Sequence, residues 1–264
     1  MQNDALKLEL IDAANALADA ARIETLKFFR SQKLETSNKD ADGYDPVTLA
    51  DKNAEEVMRE ILSSLRPEDS VIGEEFGKRT GNSEITWVLD PIDGTRAYIC
   101  GTTSWGVLIS VEKNGHPIFG IIDQPYIEER YLGGFDKAQL ISRTGSRNLS
   151  VRNCADVKSA VLLSTFPEVG TIQERTMFEK VASKVQLTRY GLDCYGYALL
   201  AMGQVDLVIE AGLNRYDISA PIAVVEAAGG IVTNWQGEKI SDGGQVIAAG
   251  DERTHAEAIK LLNS

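Results

Sequence analysis

The segment WVLDPIDGTRAY, residues 87–98, opens as an apolar strand and closes on two aspartates, Asp90 and Asp93, followed by Gly94-Thr95. Strand residues alternate faces, so residues three apart point to opposite sides unless the chain turns between them. Pro91 fixes one φ and Gly94 relieves the steric limits beyond it, so the segment reads as a strand end bending into a helix start. Carboxylates brought together repel, and burial raises that cost. A divalent cation removes the conflict; Mg²⁺ takes oxygen ligands and keeps waters that a substrate can displace. An Asp-Gly turn with solvated acids is the alternative for this stretch alone.

Three further stretches carry acids at element edges. VIGEE places Glu74 and Glu75 after a short apolar strand, where an acid pair is ordinarily surface. DPVTLADKNAEE carries Thr48 and Asp51, which also reads as a capping box before an amphipathic helix. NRYDISAPIAVVEAAGG carries Asp217, which also reads as a helix cap, with Pro221 in the first turns. Each has an ordinary structural explanation; together they point to one acidic site.

Other chemistries find little support. The two histidines are His116, beside a hairpin turn at Asn114-Gly115, and His255, in a polar C-terminal helix; neither adjoins a plausible nucleophile. Cys100, Cys154 and Cys194 are odd in number and far apart, with no C-x-x-C, which argues against a zinc site or disulfide framework and for free thiols in a reducing compartment. A net charge of -12 repels phosphate backbones, so no nucleic-acid partner is expected, and a phosphate ligand would need local neutralisation. The opening segment has acids throughout and no basic start, so no signal peptide is expected. No apolar run is long enough to span a bilayer, and the expected location is cytoplasmic.

Elements able to position these acids follow from periodicity. Residues 4–30 read as an amphipathic helix, SQKLETSNKDADGYDP as a mobile loop, and Ala54, Val57, Met58, Ile61, Leu62 and Leu65 as the apolar face of a second helix. Strands and a hairpin follow, so residues 1–140 form an α+β half with a largely antiparallel sheet and most of the acids. Residues 141–264 alternate strands and helices, an α/β half that carries Asp217.

On DPVTLAD, VIGEE, WVLDPIDGT and YDISAPIAVVEAAGG, the chain resembles the inositol monophosphatase superfamily of Mg²⁺-dependent, lithium-sensitive phosphomonoesterases along nearly its whole length. The resemblance implies a layered αβαβα sandwich, usually a homodimer, acting on a small phosphorylated substrate. It implies two or three Mg²⁺ ions held by Glu74, Asp90, the Ile92 carbonyl, Asp93 and Asp217. Gly94 and Thr95 would hold phosphate at a helix start, and Asp51 with Thr95 would orient the attacking water. The family's tryptophan before the last aspartate is Tyr216 here.

Within the superfamily, DGTRAYICG and G-x-DCY-x-Y look most like the histidinol-phosphate phosphatase branch. Asp193 adds an acid that suits a cationic leaving group, with a helix N-cap as its structural alternative. Glu210 matches a family carboxylate that meets the substrate. Hydrolysis of histidinol phosphate is therefore expected, with inositol monophosphatase or broad sugar, polyol or nucleotide phosphatase activity as the alternative. A haloacid-dehalogenase-type phosphatase, which would place its aspartates two apart rather than three, and a non-catalytic regulatory relative are the remaining readings.

Overall fold

The computed structural model describes residues 2–31, 36–38, 46–240 and 242–264. In chain order the elements are α1 (Gln2–Phe28), β1 (Thr36–Asn38), β2 (Pro46–Thr48), α2 (Leu49–Leu65), β3 (Ser70–Gly73), β4 (Gly77–Arg79), β5 (Ile85–Asp93), α3 (Thr95–Cys100), β6 (Gly106–Lys113), β7 (His116–Gln124), β8 (Glu129–Gly134), β9 (Lys137–Ser142) and β10 (Gly145–Asn148). The chain continues through β11 (Val161–Ser164), α4 (Ile172–Ala182), β12 (Leu187–Tyr190), α5 (Asp193–Ala201), β13 (Leu207–Asn214), α6 (Arg215–Ala227), β14 (Ile231–Thr233), β15 (Gly243–Ala249) and α7 (Glu252–Leu262).

An eight-stranded sheet runs β10-β9-β8-β7-β6-β5-β3-β4, antiparallel except where β3 pairs with β5. A five-stranded sheet runs β12-β11-β13-β15-β14, parallel through its first three strands. Along β6 the side chains alternate as a doubly covered strand requires. Val107, Ile109 and Val111 join Leu10, Leu17, Met58 and Leu62 under α1 and α2, while Leu108 joins the opposite core. That second core holds α5 and α6 between the sheets, with Tyr197, Ala198, Ile218 and Val224 meeting Ile122 and Tyr131 on one side and Leu163, Val208 and Val246 on the other. Phe178 of α4 and Ala258 and Leu262 of α7 close the outer face of the smaller sheet against Leu162, Leu207, Ile209 and Ile247. The order of layers is αβαβα, as the sequence resemblance implies.

Several pieces depart from the sequence reading. Part of the segment read as a loop is a short antiparallel pair, β1 with β2; residues 32–35 and 39–45 of it lie outside the described residues. β4, β10 and β12 were not legible, because each is a short edge strand with mostly exposed residues and no apolar alternation. The larger sheet consequently runs on to Asn148, and its core is shared with helices of the second half. His255 is buried, its Nε2 2.9 Å from the Thr233 hydroxyl, rather than on a polar helix face.

Two glycines let α6 lie directly on the larger sheet. A Cβ at Gly120 of β7 would sit 2.5 Å from the Ala220 carbonyl oxygen, and one at Gly133 of β8 would sit 2.3 Å from the Val224 Cα. At the N-terminal end of α6, buried Glu112 of β6 accepts from Arg215 and, at 2.7 Å, from the Ser219 hydroxyl. Helix and sheet are thus locked on both sides of Asp217. Gly133→Ala should push α6 off the sheet at a cost of about 1–3 kcal/mol, a fall in Tm of about 2–4 °C per kcal/mol for a chain of this size. Thermal melting checks this; an unchanged Tm would mean that α6 tolerates displacement.

Candidate active site

At the N-terminus of α2 the capping box is real. The Thr48 hydroxyl accepts from the Ala50 N–H at 3.1 Å, and the Thr48 N–H donates to Asp51 Oδ2 at 2.9 Å. The box uses only one oxygen of Asp51. The other, Oδ1, lies 3.3 Å from the Thr95 hydroxyl, which is also 3.1 Å from the Ile92 carbonyl. One side chain therefore closes the cap and still reaches Thr95. Burial pushes the Asp51 carboxyl up to about 6, against the lowering pull of its Thr48 bonds.

At the end of β5, register with β6 shifts: Asp90 pairs with Leu108, but Asp93 pairs with Gly106. Three steps along β5 match two along β6, so the bulge absorbs one residue and returns Asp93 to the face of Asp90. Ile92 donates its N–H to Asp90 Oδ1 at 3.0 Å and buries its side chain among Phe29, Tyr98 and Trp105. Gly94 then takes φ +83°, a left-handed conformation that starts α3.

Asp217 arrives from α6, again as the third residue of a capping box, its Oδ2 accepting from the Asn214 N–H at 2.6 Å. Carboxylate oxygens of Asp90, Asp93 and Asp217 all lie within 4.8 Å of one another. Glu74 adjoins them from the end of β3, close enough to Asp90 to raise its carboxyl. Asp90 and Asp93 are held well above the usual carboxylate range, first by burial, then by Glu74, Asp93 and Asp217 around the former and by Asp193 and Asp217 around the latter. Burial likewise pushes Asp217 up to about 7, aided by Glu74 and Glu210. An all-oxygen donor set carrying this much mutual repulsion fits a hard divalent cation, Mg²⁺ among them.

Glu74, Asp93 and Asp217 form the floor of a cavity of about 290 Å³. Its wall includes Asp193, at the first residue of α5 with φ +47°, without a side-chain capping bond to the helix. Its carboxylate instead packs against Gly94, where a Cβ would lie 2.8 Å from its Cγ, and accepts from the Ser104 hydroxyl at 3.4 Å. The next residue, Cys194, donates its N–H to Asp93 Oδ2 at 2.6 Å. Burial and the neighbouring Glu210 push Asp193 up to about 7, partly offset by Ser104 and Arg96. Glu210 is buried behind it, accepting from the Tyr197 hydroxyl at 2.9 Å and from the Thr165 N–H at 3.0 Å, and burial raises it too. Of the candidate site residues, Glu74, Asp93, Gly94, Thr95, Asp193, Glu210 and Asp217 line this cavity, and Asp51, Ile92 and Asp90 adjoin the lining residues Thr95 and Glu74. Missed were Ser104, Thr165, Phe166, Arg96 and Tyr197. Arg96 stacks over the Phe166 ring at 5.1 Å on the cavity rim. Two of these carried a sequence signal, Arg96 by its place directly after DGT and Tyr197 as the closing tyrosine of G-x-DCY-x-Y.

The sequence model of the inositol monophosphatase family matches residues 7–264. The bifunctional phosphatase IMPL2, chloroplastic, of Arabidopsis thaliana is 39% identical over 94% of this chain and 73% of its own length. The histidinol-phosphatase of Streptomyces coelicolor is 34% identical over 97% of each chain. A solved inositol monophosphatase from Zymomonas mobilis superposes with a TM-score of 0.84 at 37% identity, covering 96% of this chain and 97% of that one. Among the described residues, no helix is long and apolar enough to cross a membrane.

The raised acids make a pH prediction. With Asp193 and Asp217 near 7 and Asp51 near 6, the folded chain holds protons that the unfolded chain, with carboxyls near 4, has released. Stability of the metal-free protein therefore falls as pH rises through about 4 to 7. Asp251 and Glu174, whose carboxyls are lowered, act oppositely only in more acid solution, and His255, lowered by burial, offsets part of the trend near pH 6. In chelator, Tm should rise as pH is lowered from about 8 to 6, and added Mg²⁺ should raise Tm more at the higher pH, where it meets fewer competing protons. Melting curves across that range check both; a chelated Tm that climbs towards pH 8 would contradict the assignment.

Proposed function

We propose that this chain, which belongs to the inositol monophosphatase family and is a phosphoric monoester hydrolase, hydrolyses histidinol phosphate to histidinol and phosphate. The observation that carries this choice of ester is the carboxylate pair Asp193 and Glu210 on the same cavity as the acid cluster. The phosphate end is common to all candidate esters and cannot discriminate among them. Discrimination falls to groups facing the leaving alcohol, and a carboxylate there pairs with an ammonium or imidazolium but gains less from a hydroxyl. The Streptomyces coelicolor relative, named a histidinol-phosphatase, supports the same choice. The Zymomonas mobilis structure, named an inositol monophosphatase at comparable identity, favours the second reading, a polyol phosphate.

In this reading Glu74, Asp90, the Ile92 carbonyl, Asp93 and Asp217 hold two or three Mg²⁺ ions. When bound, these ions neutralise the ester's charge and acidify a water. The chain's own residues do the rest. Gly94 and Thr95 turn backbone N–H groups towards the phosphate. The Thr95 hydroxyl donates to Asp51 Oδ1 and thereby presents its lone pairs to the attacking water. Asp51 near 6 is suited to receive a proton at neutral pH. We place the reaction in the cytoplasm, where three unpaired thiols stay reduced.

Two sets of variants test the proposal. Thr95→Ala should lower kcat by about 100-fold or more, the scale of a lost positioning contact, while Mg²⁺ still raises Tm. Asp51→Asn should lose turnover as well as about 1 kcal/mol of cap stability; stability loss with intact kcat would leave Asp51 as a cap only.

Asp193→Asn keeps a residue type that tolerates the left-handed conformation. It should lower kcat/KM for histidinol phosphate by about 10- to 100-fold, the equivalent of one charge-assisted hydrogen bond. Hydrolysis of inositol 1-phosphate should barely change. Equal losses on both esters would make Asp193 structural and return the polyol reading.

A further inference from the structure

We infer that Glu55 is a positioning residue that fixes Glu74 for cation binding, an inference that rests on the reading of Glu74 as a ligand. Glu55 lies one helical turn after Asp51 on α2, and its side chain is fully buried. It does not face the cavity. Its Oε2 accepts the Glu75 N–H at 2.7 Å, and its Oε1 accepts the Phe76 N–H at 3.2 Å and the Arg59 Nε at 2.7 Å. Arg59 in turn donates to the Gly77 carbonyl and stacks over the Phe76 ring. On its other side the turn is tied to β5 through the Glu74 N–H, which donates to the Leu89 carbonyl at 3.2 Å. The peptide of Glu74 is therefore pinned between β5 and the Glu55 carboxylate.

The fit leaves no space to spare. A Cβ on Gly73 would lie 2.0 Å from Glu55 Oε1, so the carboxylate fills the side-chain position of the residue directly before Glu74. Three donors converge on it, two adjacent backbone N–H groups and a guanidinium. Only an acceptor-only group satisfies all three; an amide would turn an NH₂ against at least one. α2 thus serves the site twice, with Asp51 reaching into it and Glu55 bracing a ligand-bearing turn from behind.

The test is calorimetric titration of Mg²⁺ into chelator-stripped protein, for the wild type, Glu55→Gln, Gly73→Ala and Glu74→Gln. Loss of an outer partner of a metal ligand ordinarily weakens affinity by about 10- to 100-fold. Glu55→Gln and Gly73→Ala should both weaken Mg²⁺ binding on this scale, with kcat largely restored at saturating Mg²⁺. Gly73→Ala reaches the carboxylate from the opposite side and keeps the inference testable if Glu55→Gln does not fold. Lower Tm with unchanged Mg²⁺ affinity in these variants, while Glu74→Gln binds weakly, would overturn the positioning role alone. Unchanged affinity in Glu74→Gln would overturn the ligand reading on which it rests.

Discussion

Mutual repulsion among buried carboxylates is the constraint around which this protein is arranged. Asp90, Asp93 and Asp217 bring oxygens within 4.8 Å of one another, with Glu74 beside them. Left to itself such a cluster would spread or take up protons, and the raised carboxyls record that tendency. The scaffold opposes it by tying each acid to a different rigid element: β5, its bulge, the first turn of α6 and the turn after β3. A divalent cation would find these oxygens already gathered, and ligand preorganisation is what lets binding energy go into affinity instead of rearrangement.

Helix starts do two jobs here. Asp51 and Asp217 are both third residues of capping boxes, and each spends one oxygen on a backbone N–H of its own helix. That bond fixes the side chain's rotamer and leaves the other oxygen aimed at the site. A cap and a functional acid are thus compatible uses of one carboxylate, because it has two oxygens and the helix needs only one. Rigidity reaches these helices from behind: Glu112 grips Arg215 and Ser219 at the start of α6, while Gly120 and Gly133 let its backbone touch the sheet.

The cavity joins two parts of the chain with different duties. Its floor comes from β3, β5, α3 and α6, which in the proposed reading would meet the phosphate common to all candidate esters. Its wall comes from α5, the segment after β11 and the end of β13, with Asp193, Thr165, Phe166 and Glu210. The two are coupled directly: Cys194 N–H binds Asp93, and the Asp193 carboxylate occupies the space that a side chain at Gly94 would take. Changing the wall at Asp193 therefore touches the floor, which is why turnover on two unlike substrates separates selectivity from structure better than turnover on one.

The local chemistry was legible from residues alone. Pro91 and Gly94 around Asp90 and Asp93 announced a turn that could join two acids, and the four acid-bearing stretches together indicated the family and its layered fold. Those signals are short-range, set by backbone sterics and residue spacing, so they survive without tertiary context. What the sequence left open, the tertiary structure decided. The bulge that returns Asp93 to the face of Asp90 depends on register with β6, which is a property of two strands. Whether Asp51 caps or reaches Thr95 depended on where α3 lies, and both proved true. Asp193 and Glu210 share a wall only because α5 and β13 pack beside the β5–α3 turn. Glu55 reads in sequence as one more acid on a helix. Its meaning lies in three donors brought to it by the turn after β3 and by Arg59, and only packing puts them there.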